Sequence, residues 1–165
     1  MIKTITYNGI KYPFIQTEGN MTQYAKPFAK KYCQGVGYDI GYGKKEWIFE
    51  GAFGIDINDD SPYDCYNLPE GEVDYIYSSH CLEHTEDWVG ALELWISKLR
   101  PGGVLFLYLP HEYQEYWRPW NNRKHKHLLR VVDIRECMEK FGLKNIFYSE
   151  RDLNHSFMVM GEKCG

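Results

Sequence analysis

Nothing in this chain approaches the roughly 20 consecutive apolar residues that a membrane helix needs. Its start, Met1-Ile2-Lys3-Thr4, runs straight into a strand-like segment, without the charged-then-apolar order of a secretion signal. Positive charge is also short: 19 Lys and Arg stand against 23 Asp and Glu, for a net charge of −4. That balance provides no general attraction to nucleic acid or to an anionic membrane and argues against both as partners. The five cysteines, Cys33, Cys65, Cys81, Cys137 and Cys164, are odd in number and include no C-x-x-C pair. They argue against a disulfide framework and a cysteine zinc site, and for free thiols in a reducing, cytoplasmic setting. Repeats, linkers and low-complexity runs are missing too. The 165 residues suffice for one core, so a single domain is expected over 1–165, with 1–20 as an extension.

Aromatic residues are plentiful: 14 Tyr, 8 Phe and 5 Trp, enough to pack a core and line a binding surface. Residues 2–16 alternate at Ile5, Tyr7, Ile10, Tyr12 and Phe14 around Asn8-Gly9, the favoured pair for a two-residue hairpin turn. A helix is expected over 21–33, with Ala25, Phe28, Ala29 and Tyr32 as its apolar face and Pro27 in its first turn. Short strands follow at 36–40, 52–57 and 73–79. Thr85 is placed to cap a helix over 86–99, which Pro101-Gly102-Gly103 stops. Residues 104–109 are almost continuously apolar, as in a strand buried on both faces. A further helix is expected from Asp133, as the first member of a capping box with Glu136, to Gly142. Strands at 145–149 and 156–160 close the chain. Alternating strands and helices predict an α/β fold: a Rossmann-like, mostly parallel sheet with helices on both faces, plus the N-terminal β-hairpin.

The most informative stretch is Gly37-Tyr38-Asp39-Ile40-Gly41-Tyr42-Gly43, followed by Gly54-Ile55-Asp56. A strand that runs into two glycines, and a second strand that ends on an acid, is how a Rossmann-like fold builds an adenosine site. A dinucleotide site wants a third small residue, where this chain has Glu46, a poor neighbour for a pyrophosphate. The loop therefore favours S-adenosylmethionine over NAD. Alone it is a weak signal, since glycines serve turns generally.

Five segments in one order resemble a small class I S-adenosylmethionine-dependent methyltransferase of the methyltransferase-11-like kind, over residues 21–161. DIGYG at 39–43 resembles the first motif and GIDI at 54–57 the acidic end of the second strand. DCYNLP at 64–69 resembles the adenine-contacting segment. VDYIYSSHCLEH at 73–84 and LRPGGVLFLYLP at 99–110 resemble the fourth and fifth strands. SSHCLEH and the Leu109-Pro110-His111 run are similar to a group associated with glycan modification. The resemblance implies that Gly41 and Gly43 pass beneath the methionine part of the cofactor, with Ser79 among its contacts. Asp39 would order the loop or the cofactor's amino group, Asp56 would hold the ribose, and Asp64 would accept from the adenine amino group beside the Cys65 backbone.

The chain departs from that pattern in its first half. Twelve residues separate Gly41 from Gly54 and seven separate Asp56 from Asp64. Against a mean helix of about 11 residues, the first crossover helix has two turns or fewer, the second is missing and the third strand is rudimentary. The hairpin, or a second copy of the chain in a homodimer, is expected to cover what the missing helix would hide.

Three histidines fall where an acceptor would sit: His80 and His84 after the fourth-strand segment and His111 after the fifth. A near-neutral imidazole suits proton removal from a sugar or phenol hydroxyl. His111 is the first choice because it opens a loop rich in aromatic and basic residues over 111–130, which either stacks on an acceptor or forms a plain lid. The structural alternative is that His84 packs near a helix start and His80 is a satisfied buried ring. No metal ligand set is expected; an ion held by His80, His84, an Asp or His111 is the less favoured alternative, because His80 and His84 do not share a continuous helix. These readings converge on S-adenosylmethionine-dependent O-methylation of a small-molecule or glycan-like acceptor. A non-catalytic S-adenosylmethionine- or nucleoside-binding domain is the alternative.

Overall fold

The computed structural model describes residues 2–165. Strands β1 (Thr4–Tyr7) and β2 (Ile10–Pro13) pair antiparallel, with Tyr7 opposite Ile10. Asn8 and Gly9 between them both have positive φ, 49° and 78°, as a tight hairpin turn of this kind requires. Helix α1 (Thr22–Ala29) follows. Pro27 lies in its second turn rather than its first; in so short a helix the missing N–H costs only the bond to residue 23. Only Ala25 and Ala29 of the expected stripe are buried, while Phe28 and Tyr32 are about half exposed.

The main sheet has six strands: β3 (Gly37–Ile40), β4 (Phe53–Ile55), β5 (Val73–Ser79), β6 (Leu99–Pro110), β7 (Leu143–Tyr148) and β8 (Ser156–Lys163). Their order is β4-β3-β5-β6-β8-β7. The first four run parallel, and β8 is antiparallel to both β6 and β7. Helices α2 (Trp88–Ser97) and α3 (Val131–Lys140) follow β5 and β6. The chain leaves β3 for β4 on one side and returns to β5 on the other, which makes the carboxyl end of β3 the switch point where open α/β sheets bind ligands.

Alternation along the strands sorts the core by chemistry. Ile76, Leu105, Leu107, Leu109 and Val159 face α2 and α3. Tyr75, Tyr77, Phe106 and Tyr108 face the other way, toward α1. Two helices cover the aliphatic face. A single short helix covers the other, so large rings supply the volume that a second helix would have filled, and the two alanines of α1 let it lie close on them.

The shortened half goes further than expected. Between β3 and β4 there is no α-helix, only a 3₁₀ turn at Lys45–Trp47. Phe49, just beyond it, is buried and packs on Tyr75 and stacks on Tyr77, with centroids 5.8 and 4.8 Å apart. Between β4 and β5 the third strand survives as one bridge, Asp64 to Asn67. The hairpin does not cover this half. It packs on the 111–130 loop, where Tyr116 meets Tyr7 and Tyr12 edge-on and the Asn121 amide donates to the Tyr12 hydroxyl at 3.0 Å.

Two helix starts also differ from expectation. Asp87 rather than Thr85 caps α2, accepting the Gly90 N–H at 2.9 Å. The Thr85 hydroxyl instead donates back to the Leu82 carbonyl at 2.7 Å and closes a 3₁₀ turn at Leu82–His84. Helix α3 begins before Asp133, whose carboxylate reaches back to the Arg130 N–H and guanidinium.

Candidate active site

At the switch point lies a cavity of ≈ 540 Å³. Its floor is made by the carboxyl ends of β3, β4 and β5. Gly41 and Gly43 both have positive φ, 79° and 75°. Gly41 is also required by packing, because a Cβ there would lie 2.3 Å from the Cys81 sulfur. Asp56, after β4, holds this loop: Oδ2 accepts the Gly43 N–H at 2.8 Å, and Oδ1 accepts the Asn58 backbone and side-chain N–H groups, each at 2.9 Å. Three of its four or so lone-pair sites are thus taken by protein, and the carboxylate still borders the cavity.

The far wall is the turn at 64–67. Cys65 and Tyr66 line the cavity; the Asp64 carboxylate does not, because it caps its own turn by accepting the Tyr66 N–H at 2.7 Å. The turn is fixed from α2. The buried Trp95 donates its indole N–H to the Cys65 carbonyl at 2.8 Å, and the Asp87 N–H donates to the Tyr66 hydroxyl at 2.8 Å.

A smaller pocket of ≈ 110 Å³ adjoins the glycine loop on the α1 side and shares Gly41, Gly43 and His80 with the larger one. Asp39 and Ser79 line it. Asp39 is buried and accepts the Phe49 N–H at 2.7 Å. Burial pushes its carboxyl up to about 7, against the lowering effect of that hydrogen bond and of Lys26. The Ser79 hydroxyl is buried without a hydrogen-bond partner. A pocket floored by an under-compensated carboxylate and an orphaned hydroxyl suits a ligand that brings a cation and further polar atoms. An adenosine in the larger cavity, with an ammonium and carboxylate in the smaller, fits these residues.

The histidines separate. His80 sits in the left-handed region at φ 51°, and its ring bridges to Ser156 Oγ at 3.0 Å. Burial pushes its pKa down to about 3, so the ring is neutral. His84 also borders the cavity, with Nδ1 2.7 Å from the Lys124 carbonyl. His111 does not reach the cavity. Its N–H continues the antiparallel pairing by donating to the His155 carbonyl at 2.8 Å, and its ring turns toward Phe157 in a separate cleft with Arg130 and Val131. In the 111–130 loop, Trp117 and Tyr116 are used for packing, on His125 and on the hairpin. Tyr113 and Trp120 are exposed.

The structure therefore gathers Gly41, Gly43, Asp56, Cys65, His80 and His84 about one cavity and Asp39 and Ser79 about its annex, and leaves Asp64 and His111 outside. Sequence reading passed over Tyr66, Glu83 and His125. The HKH run at 125–127, two imidazoles one residue apart, was the available signal for the last.

No helix is long and apolar enough to cross a membrane among the described residues. No curated protein sequence matches the chain. Solved structures do match in fold. A chain from a Haloferax volcanii complex between a methyltransferase and its activator superposes with a TM-score of 0.69 at 15% identity, covering 92% of each chain. An S-adenosylmethionine-dependent methyltransferase from Thermotoga maritima gives 0.68 at 15% identity, covering 91% of each. The N-methyltransferase NodS from Bradyrhizobium japonicum, solved with S-adenosyl-L-homocysteine, gives 0.63 at 12% identity, covering 90% of this chain and 87% of that one. A family model described as a methyltransferase domain matches residues 17–147, most of the chain, and the protein belongs to that methyltransferase family.

Proposed function

We propose that this methyltransferase uses S-adenosylmethionine and methylates a hydroxyl oxygen of a small or glycan-like acceptor. The observation that carries the reading is the pair of adjoining pockets that share Gly41, Gly43 and His80: one bordered by Asp56 and the Cys65–Tyr66 turn, the other by Asp39 and the unpartnered Ser79 hydroxyl. NodS, of the same fold, was solved with the demethylated cofactor.

When bound, S-adenosylmethionine supplies a methyl group already activated on a sulfonium. Asp56 would accept from the ribose with its remaining capacity while keeping the glycine loop in place. Asp39 would face the amino group and Ser79 the carboxylate. The Cys65–Tyr66 turn would receive the adenine. Asp64 is assigned to shaping that turn rather than to direct contact. His80 borders both pockets and is the ring at their junction; with Nε2 held by Ser156 and Nδ1 facing Glu83, it would position the acceptor through the packing of its ring. The transfer would exchange an S–C bond for an O–C bond, with the hydroxyl proton passing to solvent water. A ring pushed down to about 3 is a weak base, so positioning supplies most of the acceleration. The exposed Tyr113 and Trp120, each with an arginine near its ring, offer faces on which a sugar can stack.

Calorimetry with S-adenosylmethionine, S-adenosylhomocysteine and NAD, followed by a screen of hydroxylated acceptors, tests the reading. Binding of the first two and not of NAD, with methyl transfer to oxygen, is expected. Binding without turnover on any acceptor would favour a non-catalytic binding domain, and NAD binding would overturn the cofactor assignment. His80→Ala should cut kcat by about 10²-fold through misplacement of the acceptor, with little change in cofactor affinity, whereas His111→Ala should leave kcat within a few-fold.

A further inference from the structure

Beside the cavity lies a cluster centred on Glu83, whose carboxylate has no part in the proposed methyl transfer. Glu83, from the Leu82–His84 turn, has a side chain 0% exposed, and neither carboxylate oxygen has a hydrogen-bond partner. Around Oε1 stand three imidazole nitrogens: Nδ1 of His80 at 3.5 Å, Nε2 of His84 at 3.8 Å and Nε2 of His125 at 3.8 Å. Those separations are too long for hydrogen bonds. A fully buried carboxylate left this way costs several kcal/mol, so something should occupy the space between these groups.

The orientation of the rings says what. His84 sets Nδ1 against the Lys124 carbonyl at 2.7 Å, which requires the proton on Nδ1 and leaves a lone pair on Nε2, aimed at Glu83. A histidine whose far nitrogen donates to a backbone carbonyl is prepared as a metal ligand. The His125 ring is held flat against Trp117, with centroids 4.7 Å apart and planes 13° apart, and edge-on to His84 at 4.5 Å. One ligand atom from each of Glu83, His84 and His125 lies within 4.8 Å of the others. Zinc–ligand bonds of about 2.0–2.1 Å in a tetrahedron place neighbouring ligand atoms about 3.4 Å apart; the Glu83 oxygen, 3.8 Å from each imidazole nitrogen, would move in by a few tenths of an ångström, and small ring rotations would bring together the two nitrogens, which already lie within 4.8 Å.

We propose that Glu83, His84 and His125 bind one divalent transition-metal ion, with zinc the best match to two imidazoles and a carboxylate. The ion clips the 111–130 loop to the turn at the cavity rim. The backbone already makes the same connection: the N–H groups of Lys126 and His127 both donate to the Glu83 carbonyl, at 2.8 and 3.3 Å. His84 is partly exposed, at 41% of its side chain, which leaves the fourth position open toward solvent and the cavity. The role is structural gating of the loop, and it does not depend on which cofactor or acceptor the cavity takes.

The test uses the full chain, stripped with a chelator and then titrated with Zn²⁺ by calorimetry and with Co²⁺ by visible absorption, in the absence of any cofactor. One ion per chain is expected, with the intense visible band of four-coordinate Co²⁺. Zn²⁺ should slow proteolysis within 111–130 by tenfold or more. His125→Ala and His84→Ala should each weaken Zn²⁺ binding at least tenfold and abolish the protection; His84, being partly exposed, provides a variant that is expected to fold. Stoichiometric binding that survives both substitutions, or no binding above that of a surface histidine, overturns the proposal. The second outcome would mean that Glu83 and its neighbours share protons instead.

Discussion

Replacing Asp39 with asparagine separates stability from ligand binding at the annex. The carboxyl is buried, and burial lifts it from 3.8 to about 7. At about 1.36 kcal/mol per pH unit, that displacement corresponds to roughly 4 kcal/mol. The sign runs against the usual salt-bridged acid. Below 3.8 the carboxyl is protonated in both folded and unfolded chains and contributes no difference. Between 3.8 and about 7 only the unfolded chain ionises, so stability falls as pH rises. Above about 7 the full cost is present. Asparagine keeps an oxygen for the Phe49 N–H and removes the charge. Asp39→Asn should therefore match the parent near pH 4 and exceed it at pH 8 by about 2–4 kcal/mol. For a domain of this size that is on the order of 4–16 °C in Tm. The same variant should bind S-adenosylmethionine at least tenfold more weakly at pH 8, because the ligand's ammonium loses its counter-charge. Urea unfolding and calorimetry at both pH values measure the two effects. A stability difference that does not change between pH 4 and pH 8 would refute the account of Asp39 as a buried acid held for a cationic ligand.

Asp56→Ala should weaken cofactor binding at least tenfold and, by leaving the Gly43 and Asn58 N–H groups unpaired, lower stability by about 1–3 kcal/mol; lost stability with unchanged affinity would make Asp56 purely a loop brace. Deleting residues 1–16 removes Tyr7, Tyr12 and Gln16 from beneath Tyr116 and Trp117, so cleavage by protease should concentrate in 111–130. A cleavage pattern identical to that of the full chain would show that the hairpin does not hold the loop.

How much could be read in advance depended on how local each determinant was. Asn8-Gly9 states its own turn, the strand at 104–109 its burial, and DIGYG and GIDI their positions, because each of these needs only its neighbours in sequence. The start of α2 was misread because Thr85 and Asp87 both qualify as caps. The choice falls to Asp87 once Thr85 is drawn into the 3₁₀ turn with Leu82. His111 was misplaced for a related reason. Its position after β6 is right, but the direction of its side chain is set by pairing with His155, some 44 residues away. Glu83 was invisible because burial of a carboxylate among three imidazoles depends on His125, 42 residues downstream.

The shortened half explains why the annex has its particular character. In place of a crossover helix the chain sends a 3₁₀ turn and then Phe49 across the aromatic face, and this one residue serves both the core and the site. Its ring stacks on Tyr77 and its N–H donates to Asp39. A helix at this point would have offered Asp39 several free N–H groups and a positive dipole end, both of which hold a carboxylate ionised. One N–H does not, and the carboxyl rises to about 7. Shortening the crossover has thus left the acid with an electrostatic deficit that a cationic ligand can relieve. On the proposed reading, the same economy that strips the sheet of a helix would favour a ligand bearing an ammonium group over a neutral nucleoside at the annex.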